Sequence, residues 1–359
     1  MVVRIAINGF GRIGRLVFRA VRKLYPTECQ VVAIHDLFAI DVNIHLLKYD
    51  SAHGTWPEPI TKIDNEHFQV GEGPTAWKVE NMVGRIHPKD LKWGEKKVDV
   101  VLESTGVYKT KAQKGPDGKV TRDGYDGHIA AGAKKVVLSV PAGDEIECTL
   151  VLGVNDEDVK PTTTMISNAS CTTNCLAPIT KIINSKWKII TGFMTTVHAY
   201  TNDQQVADLA HQDMRRARAA AQNIIPTSTG AAKALPIVVH DLRPKSLDGI
   251  SIRVPVITGS LVDTSFNVEG TPTRDEINAA LKAATLEGPL KGILGYTEDA
   301  IVSSDIINCT LSSIVDSLET KVIPNPDGKS ALVKVLSWYD NEAGYSARCA
   351  DIFHRIGTM

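Results

Sequence analysis

A glycine-rich turn near the start of the chain, Asn8-Gly9-Phe10-Gly11-Arg12-Ile13-Gly14, decides the fold. It follows a short apolar run, Val2–Ile7, which predicts a strand, and precedes apolar residues at helical spacing over residues 16–24. A second continuous apolar run, residues 31–34, predicts another strand, and Asp36 stands at its end. Strand, turn, helix and strand make a βαβ unit, which requires a parallel sheet covered by helices.

The same turn carries a binding prediction. Gly9 permits a tight turn, Gly11 lets a pyrophosphate approach the backbone, and Gly14 allows the helix to pack closely on the strand. The free amides at the helix start and the helix dipole bind the anion. Asp36 accepts hydrogen bonds from adenosine ribose hydroxyls and repels a 2′-phosphate, so the pattern predicts NAD rather than NADP.

Length and composition bound the possible classes of protein. The chain has 359 residues, of which 43% are hydrophobic and 23% charged, and a net charge of -1. These values indicate about two globular domains and exclude a disordered chain or one built to coat nucleic acid. No apolar run reaches the roughly 20 residues of a membrane helix, and the amino terminus is not typical of a signal peptide. Six scattered cysteines favour reduced thiols in the cytoplasm.

Further strand-like runs complete the outline of the fold. Residues 98–103 and 135–140 extend the first sheet, and a polar glycine-rich segment between them predicts an exposed loop or hairpin. After about residue 165 the longer runs 189–197, 250–256 and 331–338 suit an antiparallel sheet with helices on one face. Thr273–Leu286 opens with a capping box and predicts one such helix. The fold class is α/β, with a Rossmann-type parallel sheet domain and an α+β domain whose sheet is mainly antiparallel.

The candidate nucleophile lies in Ser167–Cys175, where polar capping residues precede an apolar helical pattern. Cys171 then sits at a helix start, where the dipole lowers the pKa of a thiol; a buried inert thiol is the alternative. Cys175 is expected to be buried, and its spacing from Cys171 matches no common zinc site, so we expect no metal. His198 ends a strand before a polar loop and is the candidate base, although a core histidine is the alternative.

Three segments are candidate anion sites. Arg215, Arg216 and Arg218 cluster in one loop, where a solvated or subunit-contact role is the alternative. The hydroxyl-rich stretch 227–233 precedes a small-residue helix and predicts either a phosphate cradle or an ordinary helix cap. Arg253 lies in a β-branched run and requires either a carboxylate partner or an anionic ligand.

Three motifs in order along the chain specify a family. They are Asn8–Arg15, Ser167–Cys175 and Ser337-Trp338-Tyr339-Asp340-Asn341-Glu342. With them the chain resembles phosphorylating glyceraldehyde-3-phosphate dehydrogenases from Val3 to Arg355. The resemblance implies an NAD-binding domain over 1–169, a catalytic domain over 170–340, and a carboxyl-terminal helix over 341–359 that packs back on the first domain.

The resemblance also implies residue roles. Cys171 matches the nucleophile and His198 its base. Positions that match cofactor contacts, beyond Gly9, Gly11 and Gly14, are Arg12, Ile13, Asp36, Thr105, Ser139 and Asn341. Thr201 and Arg253 match the pocket for the substrate's own phosphate. Positions that match the inorganic phosphate site are Ser170, Thr172, Arg216, Thr229 and Gly230, with Arg216 chosen by its spacing to Thr229.

The reaction implied is NAD-dependent oxidative phosphorylation of D-glyceraldehyde 3-phosphate to 1,3-bisphosphoglycerate through a cysteine hemithioacetal and thioester. The implied partners are that sugar phosphate, inorganic phosphate and three further copies in a cytoplasmic homotetramer, without membrane or nucleic acid. Erythrose-4-phosphate oxidation and a non-enzymatic binding role are the alternatives. Ala210 stands where the family often has a proline that helps to exclude NADP, and the loops near 112–125 and 323–330 look longer than in relatives.

Overall fold

Residues 2–359 are described by a computed structural model, and they divide into two compact units. Unit 1 contains the residues up to Leu150 together with Glu157–Ala169 and Ser346–Met359. Unit 2 contains Val151–Asp156 and Ser170–Tyr345. Within residues 2–359, no helix is long and apolar enough to cross a membrane.

Unit 1 is built on a nine-stranded sheet in the order β10-β11-β9-β6-β1-β2-β5-β4-β3. All neighbouring strands are parallel except β3–β4 and β4–β5, which confirms the parallel sheet. The segment predicted as an exposed loop or hairpin forms the separate two-stranded ribbon β7–β8. The strands are β1 (Val3–Asn8), β2 (Cys29–Asp36), β3 (Ile60–Lys62), β4 (His67–Val70), β5 (Trp77–Val83), β6 (Val100–Glu103), β7 (Gln113–Lys114), β8 (Val120–Arg122), β9 (Lys135–Leu138), β10 (Cys148–Thr149) and β11 (Met165–Ser167); the helices are α1 (Arg12–Leu24), α2 (Ile40–Lys48) and α3 (Gly127–Ala130).

The glycine turn joins β1 to α1 as the sequence predicts. Gly9 adopts a left-handed φ of 94°, which side chains rarely tolerate. A Cβ on Gly14 would lie 2.2 Å from the Gly9 carbonyl oxygen, so only glycine lets α1 approach β1 this closely. The helix then buries Leu16, Val17, Phe18 and Val21 on one face against the sheet.

Unit 2 is built on a seven-stranded sheet in the order β13-β14-β12-β15-β18-β17-β16. Four of its neighbouring pairs are antiparallel and two, β12–β14 and β16–β17, are parallel, so the sheet is mainly antiparallel. The predicted capping box is present at Thr273, and its helix begins at Arg274. The elements are α4 (Cys171–Trp187), β12 (Ile189–Ala199), β13 (Ile225–Ser228), α5 (Ala231–Val238), β14 (Leu247–Val254), β15 (Ser260–Glu269), α6 (Arg274–Leu286), β16 (Leu294–Thr297), β17 (Ser313–Pro324) and β18 (Ser330–Tyr339). The last helix, α7 (Ala343–Gly357), belongs to unit 1 from Ser346 onward.

Candidate active site

Cys171 is the first residue of α4, as the capping pattern predicts. Ser170 caps the helix, because its hydroxyl accepts a hydrogen bond of 3.0 Å from the Thr173 amide. The preceding Ala169 has a left-handed φ of 50°, a backbone conformation that is unfavourable for a side chain and is concentrated at functional sites. Most of α4 is buried, whereas Cys171 itself is half-buried. The strained turn and the N-cap therefore hold the Cys171 thiol, which is only half-buried, at the start of an otherwise buried helix.

His198 lies at the end of β12 with its ring directed at that thiol. Its Nε2 is 3.5 Å from Cys171 Sγ, and its Nδ1 is 2.6 Å from the Ala199 carbonyl oxygen. A carbonyl only accepts, so Nδ1 carries the ring proton and Nε2 keeps a free lone pair. The ring is thus oriented to accept the thiol proton. The sequence alone leaves open whether the two residues meet, and within unit 2 they do.

Burial dominates the protonation of both groups. It lowers the pKa of His198 to about 3, with the charge of Arg253 acting in the same direction, so the imidazole is neutral at neutral pH. It also raises the pKa of the Cys171 thiol, against the opposing effects of Arg253 and hydrogen bonds at the helix start. The expectation that the helix dipole lowers the thiol pKa is therefore wrong in net direction, because desolvation of the thiolate outweighs it. The resting pair is a neutral thiol beside a neutral base.

Tyr339 supports this pair and was missed as a site residue. Its hydroxyl is 2.8 Å from both the Thr172 and the Thr196 hydroxyl oxygens, and its ring packs edge-on against His198 at 6.0 Å. All three hydroxyls are buried. The Thr172 hydroxyl is thus engaged with the tyrosine, and hydrogen bonds from the Thr172 hydroxyl and amide also act to lower the pKa of the Cys171 thiol. Alternation along β18 was the available signal, since it puts Tyr339 on the buried face of that strand.

Arg253 projects from β14 beside the thiol and base. Its Nη1 donates to the Thr201 hydroxyl at 2.9 Å and to the Ala199 carbonyl at 3.2 Å. Its buried Nε has no hydrogen-bond partner. The sequence left a choice between a carboxylate partner and an anionic ligand for this arginine. No carboxylate forms an ion pair with it within residues 2–359, and the unpaired Nε favours a ligand.

Arg216 is the half-buried arginine of its cluster, and carboxylates surround it. Its Nη1 pairs with Asp203 at 2.5 Å, and its Nε lies 3.6 Å from an Asp213 oxygen and donates to the Thr227 hydroxyl at 2.9 Å. Thr201 also donates its hydroxyl proton to Asp203. Asp203 therefore acts as an internal counter-ion for Arg216 and also accepts a hydrogen bond from Thr201. Sequence reasoning missed it, since no local pattern distinguishes it from other loop carboxylates.

The neighbouring arginines and the hydroxyl-rich turn have simpler surroundings. Arg218 pairs with Asp208, and both side chains are exposed, as the alternative of a solvated arginine anticipates. Thr229 is half-buried and accepts from the Ala231 amide at 3.2 Å, while Gly230 is exposed at the N-cap of α5. The predicted small-residue helix therefore begins where expected, with its first amides next to these two residues.

In unit 1 the predicted cofactor contacts gather at the carboxyl ends of the parallel strands. Asn8 at the end of β1 is in register with His35 in β2 and Glu103 in β6, and Glu103 is in register with Leu138 in β9. The loops that follow these four strand ends therefore emerge at one edge of the sheet, which is where open α/β sheets bind ligands. The predicted contacts at the end of β2, in these loops or at the start of α1 are Gly9, Gly11, Arg12, Ile13, Gly14, Asp36, Thr105 and Ser139.

The local geometry at this edge fits a dinucleotide. A Cβ built on Gly11 would meet nothing within 4 Å, and Gly11 caps α1 without a side-chain hydrogen bond. Open space therefore lies above the free amides of the helix start. Asp36 accepts from the Phe10 amide at 2.8 Å and from the Leu37 amide at 2.7 Å, which fixes its carboxylate against the turn. Oδ1 accepts a second bond from the Phe38 amide at 3.2 Å, whereas Oδ2 keeps a lone pair for a ribose hydroxyl.

Three of the predicted contacts are themselves held by hydrogen bonds. Thr105 donates both its amide and its hydroxyl to Glu103. In unit 2, Asn341 accepts at its amide oxygen from the Ser260 hydroxyl at 2.8 Å. This bond fixes the orientation of the Asn341 amide and leaves its NH2 group as the donor. Ser139 is held by the Glu103 carbonyl through both its amide and its hydroxyl.

Comparisons with known proteins agree with these features. The family model described as "Glyceraldehyde 3-phosphate dehydrogenase, NAD binding domain" matches residues 3–111, and the corresponding C-terminal domain model matches residues 170–341. A glyceraldehyde-3-phosphate dehydrogenase of Borreliella burgdorferi is 48% identical over 356 residues, 99% of each chain. One from Streptomyces coelicolor is 47% identical over 360 residues, 100% of each chain. One from Geobacillus stearothermophilus is 48% identical over 353 residues, 98% of this chain and 97% of the relative.

Proposed function

We propose roles for the individual site residues from the premise that the chain belongs to the glyceraldehyde-3-phosphate dehydrogenase family. It catalyses the glycolytic, NAD-dependent oxidative phosphorylation of D-glyceraldehyde 3-phosphate, with NAD as cofactor. The named relatives favour this reaction over the erythrose-4-phosphate alternative. The observation that carries the assignment of roles is the 3.5 Å contact between Cys171 Sγ and His198 Nε2.

Cys171 is the proposed nucleophile and His198 its acid and base. Nε2 takes the thiol proton as the sulfur attacks the aldehyde carbon, and returns it to the carbonyl oxygen to give a hemithioacetal. Nε2 then takes the hydroxyl proton while the carbon loses a hydride, and a Cys171 thioester remains. NAD supplies the hydride acceptor when bound. The Cys171 amide and the protonated ring stabilise the developing oxyanion, an effect of about 3–4 kcal/mol in related chemistry.

Two anion sites serve the two phosphate groups of the reaction. Arg253 and Thr201 are proposed to hold the phosphate of the sugar, supported by the unpaired Arg253 Nε. Inorganic phosphate, which attacks the thioester and releases the acyl phosphate, is the proposed ligand of Arg216 and of several amides and hydroxyls of unit 2. These further ligands are Ser170, Thr172, Thr229 and Gly230. The Ser170 hydroxyl caps α4, so we assign its contribution to the same helix start that presents Cys171.

The edge of the unit 1 sheet is the proposed NAD site. Gly9, Gly11 and Gly14 shape the turn, Asp36 binds the adenosine ribose, and the other contacts fix the rest of the dinucleotide. These others are Arg12, Ile13, Thr105 and Ser139. Asn341 is proposed to donate its NH2 group to the nicotinamide amide, supported by the fixed orientation of its own amide. We propose domain limits of 1–169 and 170–340, with the final helix belonging to the first domain.

A homotetramer in the cytoplasm is the proposed state of the protein. Support for the oligomer comes from large apolar side chains that are exposed in one segment of unit 2: Val206, Leu209, Met214 and Ile224 are 94%, 64%, 81% and 70% exposed. Six free cysteines support a reducing compartment. Sedimentation of the protein and of Met214→Glu tests the oligomer: a tetramer that the variant weakens is expected, and a monomeric parent protein would contradict the assignment.

The test of the assigned roles is NADH formation from NAD and D-glyceraldehyde 3-phosphate, with and without inorganic phosphate. Phosphate-dependent turnover is expected, and turnover that phosphate leaves unchanged would indicate thioester hydrolysis instead. Cys171→Ser is expected to lose turnover, whereas the matched variant Cys175→Ser, one helical turn further on, is expected to keep it. Equal losses in both variants would contradict the choice of nucleophile.

A further inference from the structure

A chain of buried polar groups crosses the carboxyl ends of β1, β2 and β6, directly below the glycine turn. His35 Nε2 is 2.8 Å from the Gly84 carbonyl oxygen, and His35 Nδ1 is 2.5 Å from Asn8 Oδ1. The Asn8 amide nitrogen is 2.6 Å from Glu103 Oε2. We propose that Asn8, His35 and Glu103, here called the proton triad, hold one extra proton among them and couple it to dinucleotide binding.

The extra proton follows from counting the hydrogen-bond donors and acceptors among these buried polar groups. The Gly84 carbonyl only accepts, so His35 Nε2 must carry a proton. With the Asn8 oxygen facing His35, Nδ1 must carry a second proton, and the histidine is a cation beside an ionised Glu103. With the Asn8 amide turned over, its NH2 group donates to a neutral His35, its oxygen faces Glu103, and the carboxyl must be protonated to donate. Either orientation of the amide contains one proton more than neutral histidine plus carboxylate.

The other contacts of Glu103 do not change this number of protons. Its oxygens accept from the Thr105 amide and hydroxyl on one side and face His128 Nε2 at 2.9 Å on the other. Trp93 donates to His128 Nδ1 at 3.0 Å, so that ring carries its proton on Nε2 and is neutral. His128 therefore donates to Glu103 and neither needs nor supplies an additional proton.

The groups facing His35 act on its charge in opposite directions. The pKa of His35 is lowered overall, chiefly by burial and further by nearby His128, although the Gly84 carbonyl and the charges of Asp36 and Glu103 act to raise it. The hydrogen-bond geometry decides between them, because removal of the proton would leave two lone pairs facing each other across 2.5 Å or 2.6 Å of buried space. Loss of the proton therefore requires Asn8 to move.

Movement of Asn8 reaches the NAD site through the backbone. Asn8 directly precedes Gly9, whose amide donates to the His35 carbonyl at 2.9 Å. Glu103 also holds Thr105, a proposed NAD contact, through two hydrogen bonds. The triad residues are thus positioning residues for the turn, an assignment that rests on the proposed NAD contacts. The bound dinucleotide needs the turn in place, so the protein with NAD bound keeps the extra proton, or takes it up on binding. NAD affinity therefore falls as the pH rises through the value at which the free protein loses that proton.

Calorimetric titration with NAD from about pH 6 to about pH 9, in buffers of different ionisation enthalpy, measures this linkage. The expected result is proton uptake on binding and an NAD dissociation constant that rises by up to about tenfold for each pH unit within the linked range. His35→Asn offers Asn8 a neutral donor and is expected to remove this linkage. His45→Asn, at an exposed histidine of unit 1, is expected to keep it. A pH-independent dissociation constant, or equal linkage in parent and His35→Asn, would overturn the proposal.

Nitrogen and carbon NMR of the unmodified protein at neutral pH counts the proton without any substitution. Either a doubly protonated His35 ring or a protonated Glu103 carboxyl supports the proposal, while His128 serves as an internal control with one ring proton. A singly protonated His35 beside an ionised Glu103 would overturn it. Absence of NAD binding at every pH would instead count against the proposed cofactor site, and the NMR count would still decide whether the triad holds its proton.

Discussion

Asp203 offers the sharpest test of the proposed anion sites, because it is a negative charge where we propose that phosphate binds. It pairs with Arg216 at 2.5 Å and accepts from the Thr201 hydroxyl, which in turn accepts from Arg253 at 2.9 Å. Burial acts to raise the pKa of Asp203, but Thr201, Arg253 and Arg216 lower it, so the carboxylate is ionised at neutral pH. Asp203→Asn removes the charge and keeps an oxygen that accepts from Thr201.

The expected gain in phosphate affinity follows from the exposure of the site. Two unit charges about 4 Å apart repel by about 1 kcal/mol in water and about 4 kcal/mol at the effective dielectric of a protein surface. The Asp203 side chain is 41% exposed, which places the effect near the lower value. We expect about 1–2 kcal/mol, which corresponds to a fall of about fivefold to thirtyfold in the KM for inorganic phosphate.

Steady-state NADH formation at saturating NAD and sugar phosphate measures that KM, at low and at raised ionic strength. Asp208→Asn is the matched control, since that carboxylate lies in the same segment and pairs with an exposed arginine, Arg218, outside the proposed sites. The gain in Asp203→Asn should shrink with added salt. An unchanged or higher KM in Asp203→Asn, or an equal change in Asp208→Asn, would refute the role of Asp203 as internal counter-ion.

Four further substitutions probe the other parts of the site. Cys171→Ala is expected to lower kcat by more than about a thousandfold while NAD binding measured by fluorescence persists; lost NAD binding would contradict the separation of the two roles. Since Arg253 opposes the burial that raises the thiol pKa, Arg253→Ala should move the alkylation of Cys171 to higher pH, and Arg253→Lys should move it less. Asp36→Ala should raise the ratio of kcat/KM for NADP over NAD by about tenfold, and an unchanged ratio would show that Asp36 is not the filter. Tyr339→Phe strips two buried threonine hydroxyls of a partner and should cost about 2–4 kcal/mol in urea unfolding, against little change in the partly exposed control Tyr296→Phe.

Features that depend on neighbouring residues were predictable from the sequence. The glycine turn needs a positive φ at Gly9 and close packing at Gly14, and both requirements are local. The helix that begins at Cys171 follows from its cap Ser170, and the capping box at Thr273 likewise marks the start of α6. In each case the physical cause lies within a few residues of its effect.

Features that depend on the three-dimensional surroundings were not predictable. The net direction of the Cys171 pKa is set by burial, which a helix-start pattern does not report. Tyr339 meets Thr172 and Thr196 across more than a hundred residues of chain, and no local signal pairs them. Asp203 looks like any loop carboxylate until its partner is seen.

The division of the chain between the two units has a consequence for synthesis on the ribosome. Unit 1 begins with β1, yet it includes Ser346–Met359, where Asp351 accepts from the Tyr25 hydroxyl at 2.7 Å and Cys349 contacts Asn168. A nascent chain that has reached Tyr345 therefore contains every residue of unit 2 but lacks part of the interior of unit 1. The unit that is translated first is therefore the last to have all its residues: unit 2 is complete while unit 1 still lacks its final helix.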